Sequence, residues 1–408
     1  MKNKVLTFIM AGGKGERLLP LTRDRTKPAV PFGGIYRIID FSLSNCLNSG
    51  LRRIYVLTQY KSASLEKHIR LGWNILSTEL DEYIEVLPAQ QRIGEVWYRG
   101  TADAIYQNIY VVKMEEPDEV LILAGDHIYK MNYQQMIDFH RQADADLTIA
   151  VIPIRKKKDV RHFGIVQVDK EYRIKSFQEK PQEAGSKDAF EIYASMGIYV
   201  FKKDVLMDAF KGDAQENNSR FDFGKGIIPD MLKKNFKIYA YNFVNENKKG
   251  ARYWRDIGTI DAYYEANMGL VTRSPEFNLY DRVWPIRTYQ EQFPPAKIVL
   301  PDDGKKGKAG MPIISSLIPG GCIVGGKRLE RCVLSYNVSI GKDSEVADSI
   351  LMEGVCVGRN VKIRKAIIDK DVHIPSGMII GYGPEEDKKR FFVTDTGIVV
   401  VAKKTEIK

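Results

Sequence analysis

Three short segments near the end of the chain recur at an interval of 17 residues, and this repeat constrains the fold more than any other feature. The segments are Val338–Gly341, Val355–Gly358 and Val372–Pro375. Apolar residues keep the same interval of 17 at Val333, Ile350 and Ile367. Short strands at such a period, with Gly, Asn and Asp between them, are typical of a parallel β-helix whose coils bury one another's apolar side chains. The repeat predicts the coil but not its hand.

A glycine-rich loop follows the first apolar run of the chain. Val5–Met10 predicts a buried strand, and the glycines of Ala11–Gly15 end it. Glycine lets the backbone lie close to a ligand, so that successive N–H groups can face phosphate oxygens. Arg17 and Leu18 stand where a P-loop and a dinucleotide fingerprint need glycine, so the loop fits neither motif. We expect either anion binding by another route or a plain connection from strand to helix.

A second cluster favours the anion-binding interpretation. Lys27 precedes Pro28, and a proline keeps the residue before it extended rather than helical. Lys14, Arg17 and Lys27 therefore place three cations within a short distance of one loop. Three cations beside a glycine loop are what a phosphorylated ligand needs.

Apolar strands alternate with helical patterns before the repeat region. This order predicts a mostly parallel sheet with helices on both faces. Val120–Leu123 is one such strand, and Asp126 follows its carboxyl end. Ligands of open α/β sheets gather at these ends, so Asp126 is a candidate site residue. The alternative role for Asp126 is a helix cap.

These segments resemble those of the glucose-1-phosphate adenylyltransferases, a family of sugar-nucleotide pyrophosphorylases, in its bacterial type. The resemblance rests on the glycine loop, on Lys27–Val30 and on Arg37–Cys46, and it extends over nearly the whole chain. It implies an α/β fold with a Rossmann-like mixed sheet in a nucleotidyltransferase domain, followed by a left-handed parallel β-helix domain with hexapeptide-like repeats. At 408 residues the chain is long enough for one large and one smaller domain. The domains are expected at 1–275 and 311–408, with a proline-rich connecting segment at 276–310.

The reaction that the resemblance implies joins ATP to α-D-glucose 1-phosphate, gives ADP-glucose and pyrophosphate, and supplies glycogen synthesis. A sugar-phosphate monoester has its second pKa near roughly 6, so its attacking oxygen is already anionic at neutral pH. Such a reaction needs no general base. It needs in-line positioning and groups that neutralise the charge developing on the phosphates.

The resemblance also assigns a role to each matching residue. Those expected in catalysis are Arg17, Lys27 and Asp126. The metal, expected to be Mg²⁺, is assigned to Asp126 and Asp256, because Mg²⁺ takes one or two carboxylates together with phosphate oxygens and waters. The nucleotide is assigned to Ala11, Gly12, Gly13, Gly15, Gln90, Gly100 and Thr101. Glucose 1-phosphate is assigned to Tyr98, Gly164, Glu179, Lys180 and Ser195. Coupling to an effector is assigned to Arg25, Gln59 and Trp97.

Plainer roles stay open for several of these residues on their own pattern. Thr101 and Asp103 could cap the helix expected to start near Ala104, and Asp256 could cap the helix expected at Ile260–Leu270. Glu179 and Lys180 could form a surface ion pair that contributes little to stability. His127 adjoins Asp126, and we expect it to be structural.

Charge and composition exclude other partners. The net charge is +10, but Lys and Arg are spread along the chain without a basic tail or a nucleic-acid-binding module, so we expect no nucleic acid. No run of about 18 apolar residues predicts a membrane span. The four cysteines lack metal-ligand or scaffold spacing, which favours reduced thiols in the cytoplasm. The family implies a homotetramer and leaves open a related second subunit.

Three rival functions are compatible with parts of the sequence. A non-catalytic regulatory subunit of the same fold would be expected to lose charged site residues, which this chain keeps. An acyltransferase with hexapeptide coils would use a histidine between coils, and His373 is the sole histidine of the repeat region. A pyrophosphorylase for another base or sugar would keep nearly all of these motifs.

Overall fold

The computed structural model of this chain describes residues 4–92, 96–154, 161, 163–182, 192–215, 221–243, 253–299 and 313–407. The strands of the first domain are β1 (Val5–Met10), β2 (Pro31–Phe32), β3 (Tyr36–Arg37), β4 (Arg53–Thr58), β5 (Tyr83–Pro88), β6 (Glu119–Ala124), β7 (His127–Tyr129), β8 (Leu147–Pro153), β9 (Gly164–Val168), β10 (Ile174–Glu179), β11 (Ile192–Lys202), β12 (Ile238–Asn242) and β13 (Trp254–Asp256). Its helices are α1 (Ile39–Asn48), α2 (Ala63–Gly72), α3 (Thr101–Gln107), α4 (Ile109–Glu115), α5 (Tyr133–Gln142), α6 (Lys203–Gln215), α7 (Ile228–Lys233) and α8 (Ile260–Leu270).

Nine of these strands form one mixed sheet. Its central path runs β10, β9, β11, β6, β1, β4, β5, and β8 and β12 extend from β11. Strands β6, β1, β4 and β5 are parallel, as are β8 and β12. Strand β11 is antiparallel to β6, β8 and β9. The alternation of strands and helices predicted a mostly parallel sheet, and that prediction holds only for these two groups.

The antiparallel pairing of β10 with β9 has a local cause. Strand β10 folds back on β9 as an antiparallel pair rather than crossing over through a helix. A parallel neighbour needs a long crossover, whereas a short connection returns the chain antiparallel. The helical pattern that predicted parallel pairing is absent between β9 and β10, so β10 runs antiparallel to β9.

Burial explains why the central strands form where they do. The inner residues of β1, Leu6 to Ile9, are fully buried, as expected for a strand covered on both faces.

Helix α8 begins where the Thr259 hydroxyl accepts a hydrogen bond from the Ala262 amide at 3.2 Å. That hydroxyl satisfies a free N–H of the first helical turn.

The strands of the second domain are β14 (Lys297–Ile298), β15 (Ile313–Ile314), β16 (Ile323–Val324), β17 (Arg328–Leu334), β18 (Ser339–Ile340), β19 (Glu345–Leu351), β20 (Cys356–Val357), β21 (Lys362–Arg364), β22 (Ala366–Ile368), β23 (His373–Ile374), β24 (Ile379–Ile380), β25 (Phe392–Val393) and β26 (Val399–Val401), with one helix, α9 (Pro384–Arg390). Almost all of them pair in parallel, coil on coil.

The predicted repeat of 17 residues is the coil period. Val333 pairs with Ile350, and Ile350 with Ile367, each 17 residues apart. The predicted connecting segment contains β14, which pairs with β16 of the coils, and its residues 300–310 lie outside the described ranges. The domain boundaries stay predictions.

The two domains share an apolar core. Val333, Ile350 and Ile367 pack in one cluster with Phe32 and Tyr263 of the first domain, rather than in the cluster inside the coils. The repeat thus faces the first domain at these positions. No helix within the described ranges is long and apolar enough to cross a membrane.

The turn between β2 and β3 touches the β-helix closely. A Cβ atom on Gly34 would lie 2.6 Å from the carbonyl oxygen of Leu334. Tyr264 of α8 adds a hydrogen bond to the Asp348 carbonyl at 2.7 Å. The segment that leads from Lys27 into the first domain is therefore fixed against the second domain.

Candidate active site

A cavity of about 720 Å³ opens at the carboxyl ends of β1 and β6. In open α/β sheets, ligands bind at this edge, outside the carboxyl ends of the parallel strands. Its lining contains most of the residues predicted for the nucleotide and for catalysis, namely Ala11, Gly12, Gly13, Gly15, Arg17, Lys27, Thr101 and Asp126. Residues far apart in the sequence thus meet in one place.

The glycine loop takes a conformation that needs glycine. Gly15 has a φ of +67°, in the region that side chains disfavour, and a Cβ there would lie 3.0 Å from the methyl carbon of Thr22. The Thr22 hydroxyl donates a hydrogen bond to the Gly15 carbonyl at 2.8 Å. Gly12 packs against the side chain of Gln59, where an added Cβ would lie 3.2 Å away. The loop is held from both sides and faces the cavity.

Lys27 lies between the two carboxylates that were predicted to bind metal. Its ammonium nitrogen is 2.7 Å from Asp126 Oδ2 and 2.8 Å from Asp256 Oδ1. Asp126 follows β6, and Asp256 ends β13, which pairs with β7 so that Asp256 lies opposite His127. Asp256 is therefore a strand residue and not the helix cap that its sequence position also allowed.

Charge and burial oppose each other in this centre. Burial alone would raise the pKa of the Asp126 carboxyl, but the ammonium of Lys27 lowers that pKa to about 2. Burial alone would lower the pKa of Lys27, and the carboxylates of Asp126 and Asp256 raise it instead. Lys27 and Asp126 are therefore both charged at neutral pH.

His127 belongs to the same cluster, although its sequence suggested a structural role. Its Nε2 lies 3.5 Å from Asp126 Oδ1 and 4.0 Å from Asp256 Oδ1. Asp126, His127 and Asp256 offer ligand atoms that all lie within 4.8 Å of one another. Two carboxylate oxygens with a nearby imidazole nitrogen suit a divalent cation. The position of His127 directly after Asp126 was the available signal.

Gly258 is a cavity residue that the sequence did not single out. A Cβ atom at Gly258 would lie 3.2 Å from both the Arg17 guanidinium and Asp256 Oδ2. Arg17 therefore approaches the two-carboxylate centre from the side of the loop after β13. Glycine at this position leaves room for the guanidinium.

Three of the residues predicted for glucose 1-phosphate form a second group, with Gly164 on β9, Glu179 at the end of β10 and Lys180 directly after it. Lys180 has a φ of +48°, its amide donates a hydrogen bond to the Phe163 carbonyl at 3.0 Å, and its ammonium lies 3.1 Å from Glu179 Oε1. A Cβ on Gly164 would lie 2.9 Å from Glu179 Oε2. The absence of a side chain at Gly164 thus leaves space for the Glu179 carboxylate.

Ser195 and a glycine two residues later link this group to the carboxylate centre. The Gly197 amide donates to the Ser195 hydroxyl at 3.3 Å, beside a register shift of β11. A Cβ at Gly197 would lie 3.8 Å from His127 Cε1. The two groups of predicted residues are thus neighbours along one sheet edge.

The segment Phe221–Ile227 is a part of the site that sequence analysis missed. The Asp222 carboxylate accepts hydrogen bonds from the Gly224 and Lys225 amides at 2.9 and 3.1 Å and from the Thr101 hydroxyl at 3.1 Å. A Cβ on Gly224 would lie 2.6 Å from Glu179 Oε2. This segment therefore connects the predicted nucleotide side to the predicted sugar side.

Close backbone contact explains why Gly100 precedes Thr101. A Cβ on Gly100 would collide with the Phe221 carbonyl oxygen. That same oxygen accepts hydrogen bonds from the Ala102 and Asp103 amides at 3.1 and 3.3 Å. The first turn of α3 is thus capped by Phe221, and Thr101 is not its cap.

Gln59 holds the backbone of Tyr98 from both sides. Its side-chain oxygen accepts from the Tyr98 amide at 2.9 Å, and its amide nitrogen donates to the Tyr98 carbonyl at 3.5 Å. The Tyr98 hydroxyl accepts from the Asn108 amide at 2.7 Å, and burial raises the pKa of Tyr98. Gln90 and Trp97 are exposed, and residues 93–95 of the loop between them lie outside the described ranges.

Arg25 is buried at the boundary between the domains. Its guanidinium nitrogen Nη2 lies 2.5 Å from both carboxylate oxygens of Asp369, and the side chains are 6% and 1% exposed. Arg25 is two residues before Lys27, and Thr26 between them donates to the Ala11 carbonyl at 3.1 Å. Arg25 therefore joins the glycine loop and Lys27 to the β-helix.

Comparison with known families agrees with this architecture. A family model described as nucleotidyl transferase matches residues 6–273. A second, described as GlmU-like, C-terminal hexapeptide, matches residues 294–401. The fold and the site define a nucleotidyltransferase joined to a hexapeptide-repeat domain of the left-handed β-helix type.

Curated relatives narrow this class to one family. Proteins named glucose-1-phosphate adenylyltransferase from Koribacter versatilis, Rhodopirellula baltica and Methylococcus capsulatus are 53%, 49% and 46% identical to this chain. The alignments cover 98%, 99% and 98% of this chain and 95%, 91% and 94% of those proteins. This chain belongs to the glucose-1-phosphate adenylyltransferase family.

Proposed function

We propose that this protein transfers the adenylyl group of ATP to the phosphate of α-D-glucose 1-phosphate, producing ADP-glucose and pyrophosphate for glycogen synthesis. The observation that carries the proposal is the centre of Lys27, Asp126 and Asp256 in the cavity beside the glycine loop. The names of the full-length relatives support the choice of substrates. The intact charged residues argue against a non-catalytic regulatory subunit.

The chemistry needs cations more than it needs a base. The phosphate oxygen of glucose 1-phosphate that attacks the α-phosphate is already anionic at neutral pH. Arg17 and Lys27, which line the cavity, neutralise the charge that develops on the α-phosphate and on the leaving pyrophosphate. The amides of the glycine loop hold the remaining phosphate oxygens.

The second group of residues holds the acceptor. Lys180 binds the sugar phosphate, while Glu179 and Ser195 accept or donate hydrogen bonds to sugar hydroxyls. Gly164 allows close backbone approach, and Tyr98 faces the acceptor from the loop that Gln59 fixes. The adenine base lies against Gly100 and Thr101 beneath the loop that begins at Gln90.

A divalent metal fits this site, and we propose that it is Mg²⁺. Asp126 and Asp256 would hold it, with His127 beside them. When bound, the ion would neutralise phosphate charge and help to orient the triphosphate for in-line attack.

We further propose a homotetramer in the cytoplasm, in which flat coil faces pair between subunits. Coils at the end of a short β-helix expose backbone and apolar side chains unless something covers them. The exposed side chains of Ile323 on β16 and Ile379 on β24 agree with such pairing. Light scattering of the full chain should give four protomers, and a monomer would reject this part of the proposal.

A substrate panel tests the proposed reaction. Pyrophosphate release is measured with ATP, GTP, UTP and CTP, each paired with glucose 1-phosphate, and with ATP paired with other sugar 1-phosphates. We expect ATP with glucose 1-phosphate to give the highest kcat/KM by at least tenfold. A preference for another base or sugar would assign a different pyrophosphorylase, and no release with any pair would favour the regulatory subunit.

A further inference from the structure

The ammonium of Lys27 occupies the position between the two carboxylates where a divalent cation is expected. It lies 2.7 and 2.8 Å from one oxygen each of Asp126 and Asp256, and the lysine is 8% exposed. These are the distances of charge-assisted hydrogen bonds. The positive charge of the lysine therefore offsets part of the repulsion between the two carboxylates.

The same two oxygens cannot serve both cations. Mg²⁺ binds carboxylate oxygens at about 2.0–2.1 Å, and an ammonium held by Asp126 and Asp256 occupies the space between those oxygens. An ammonium and a divalent ion at such close range also repel each other strongly in a partly buried site. Lys27 has to leave before both carboxylates can bind the ion.

The surrounding structure allows the ammonium of Lys27 to move to a second position. Its backbone is fixed, because Lys27–Ala29 forms a buried helical turn that contains Pro28, instead of the extended segment expected before a proline, and the Thr26 hydroxyl donates to the Ala11 carbonyl. Its flexible four-carbon side chain lines the same cavity as Gly12, Gly13 and Gly15. A triphosphate held by that loop would come within reach of the ammonium without any movement of the backbone.

We propose that Lys27 holds the metal position in the free enzyme and moves to the triphosphate when the nucleotide binds. This inference rests on the proposed function. Its consequence is that the free enzyme binds the metal weakly and that nucleotide and metal strengthen each other's binding. By thermodynamic linkage the two effects are equal in size.

The test measures metal binding rather than turnover. Mn²⁺ binding to the full-length enzyme is followed by electron paramagnetic resonance, alone and with α,β-methylene-ATP, after subtraction of Mn²⁺ bound to the analogue in solution. We expect the analogue to tighten Mn²⁺ binding to the wild-type enzyme at least tenfold. Equal Mn²⁺ affinity with and without the analogue would overturn the proposal, and this measurement needs no variant.

Substitution then separates occupation of the site from simple charge. Lys27→Met should tighten Mn²⁺ binding to the free enzyme at least tenfold and reduce the effect of the analogue to less than threefold. Arg17→Met is the matched control, because Arg17 also brings a positive charge to this cavity but, among the described residues, forms no ion pair with Asp126 or Asp256. It should change Mn²⁺ affinity of the free enzyme less than threefold.

Each remaining outcome has a meaning. An equal gain from both substitutions would show a general charge effect and overturn the proposal, as would unchanged or weaker binding in Lys27→Met. Lys27→Gln, which keeps a hydrogen-bond donor, replaces Lys27→Met if circular dichroism shows that the latter is unfolded. If Asp126→Asn binds Mn²⁺ as the wild type does, the metal assignment of the proposed function has failed instead.

Discussion

Asp369→Asn should destabilise the protein by breaking the buried ion pair that joins the two domains. The substitution keeps the size of the side chain and an oxygen that can accept from the Lys370 amide, a contact of 2.7 Å. It removes the negative charge from Arg25, whose other described side-chain contact is the Met352 sulfur at 3.9 Å. The guanidinium then stays buried without a carboxylate.

The magnitude follows from this burial. Removing one partner of a buried ion pair costs about 3–5 kcal/mol, because the remaining charge is left uncompensated. For a chain of 408 residues, an unfolding entropy of about 2.1 cal/mol/K per residue converts this to a fall in Tm of roughly 4 to 6 °C. Differential scanning calorimetry of the full-length protein measures the fall.

An exposed pair provides the control. Asp208 and Lys211 on α6 lie 3.0 Å apart, with side chains 66% and 70% exposed. Such a pair contributes about 0–1 kcal/mol, so Asp208→Asn should lower Tm by about 1 °C or less. Equal Tm values for Asp369→Asn and Asp208→Asn would refute the reasoning that burial makes the Arg25 pair strong.

Two further predictions concern substrate binding and pH. Lys180→Ala should raise the KM for glucose 1-phosphate at least tenfold with little change in kcat or in the KM for ATP, because Lys180 binds the sugar phosphate equally in the ground and transition states. Lys175→Ala on β10 is the control, and a fall mainly in kcat of Lys180→Ala would reject the binding role of Lys180. Burial, with Lys202 and Arg141 nearby, lowers the pKa of His140 from 6.5 to about 4. Between about pH 4 and pH 6.5 the unfolded state therefore binds more protons than the folded state, so the free energy of unfolding rises with pH in this range. Urea unfolding should show that a change from pH 7 to pH 5 lowers the free energy of unfolding by roughly 2 kcal/mol less in His140→Gln than in the wild type. The same pH dependence in both proteins would exclude His140 as its source.

The repeating and periodic parts of the fold could be predicted from the sequence. Helix α8 spans the predicted residues, Ile260–Leu270, because its apolar spacing and its preceding threonine are local signals. The predicted interval of 17 residues equals the coil period in the structure, because each coil repeats the same buried positions. The contact of Val333 and Ile350 with the first domain was not predicted, because periodicity shows that a face is apolar but not which surface covers it.

The site was predicted as a set of residues but not as a geometry. Lys27 contacts carboxylates that are 99 and 229 residues away in the sequence, so no local pattern could show that its ammonium lies between them. The same holds for Arg25 and Asp369, which are 344 residues apart. Phe221–Ile227 was missed because it contributes through backbone contacts with Gly100 and Thr101. Such contacts produce no periodic pattern of hydrophobic residues in the sequence.

The turnover of Asp126→Asn tests most directly whether the centre of Lys27, Asp126 and Asp256 is where adenylyl transfer occurs. The substitution keeps the size of the side chain and removes the charge that holds Lys27 and would hold the proposed metal. Pyrophosphate release from ATP and glucose 1-phosphate at saturating Mg²⁺ should fall about a thousandfold or more, while circular dichroism shows an unchanged fold. A variant that retains more than a tenth of wild-type turnover would contradict the account.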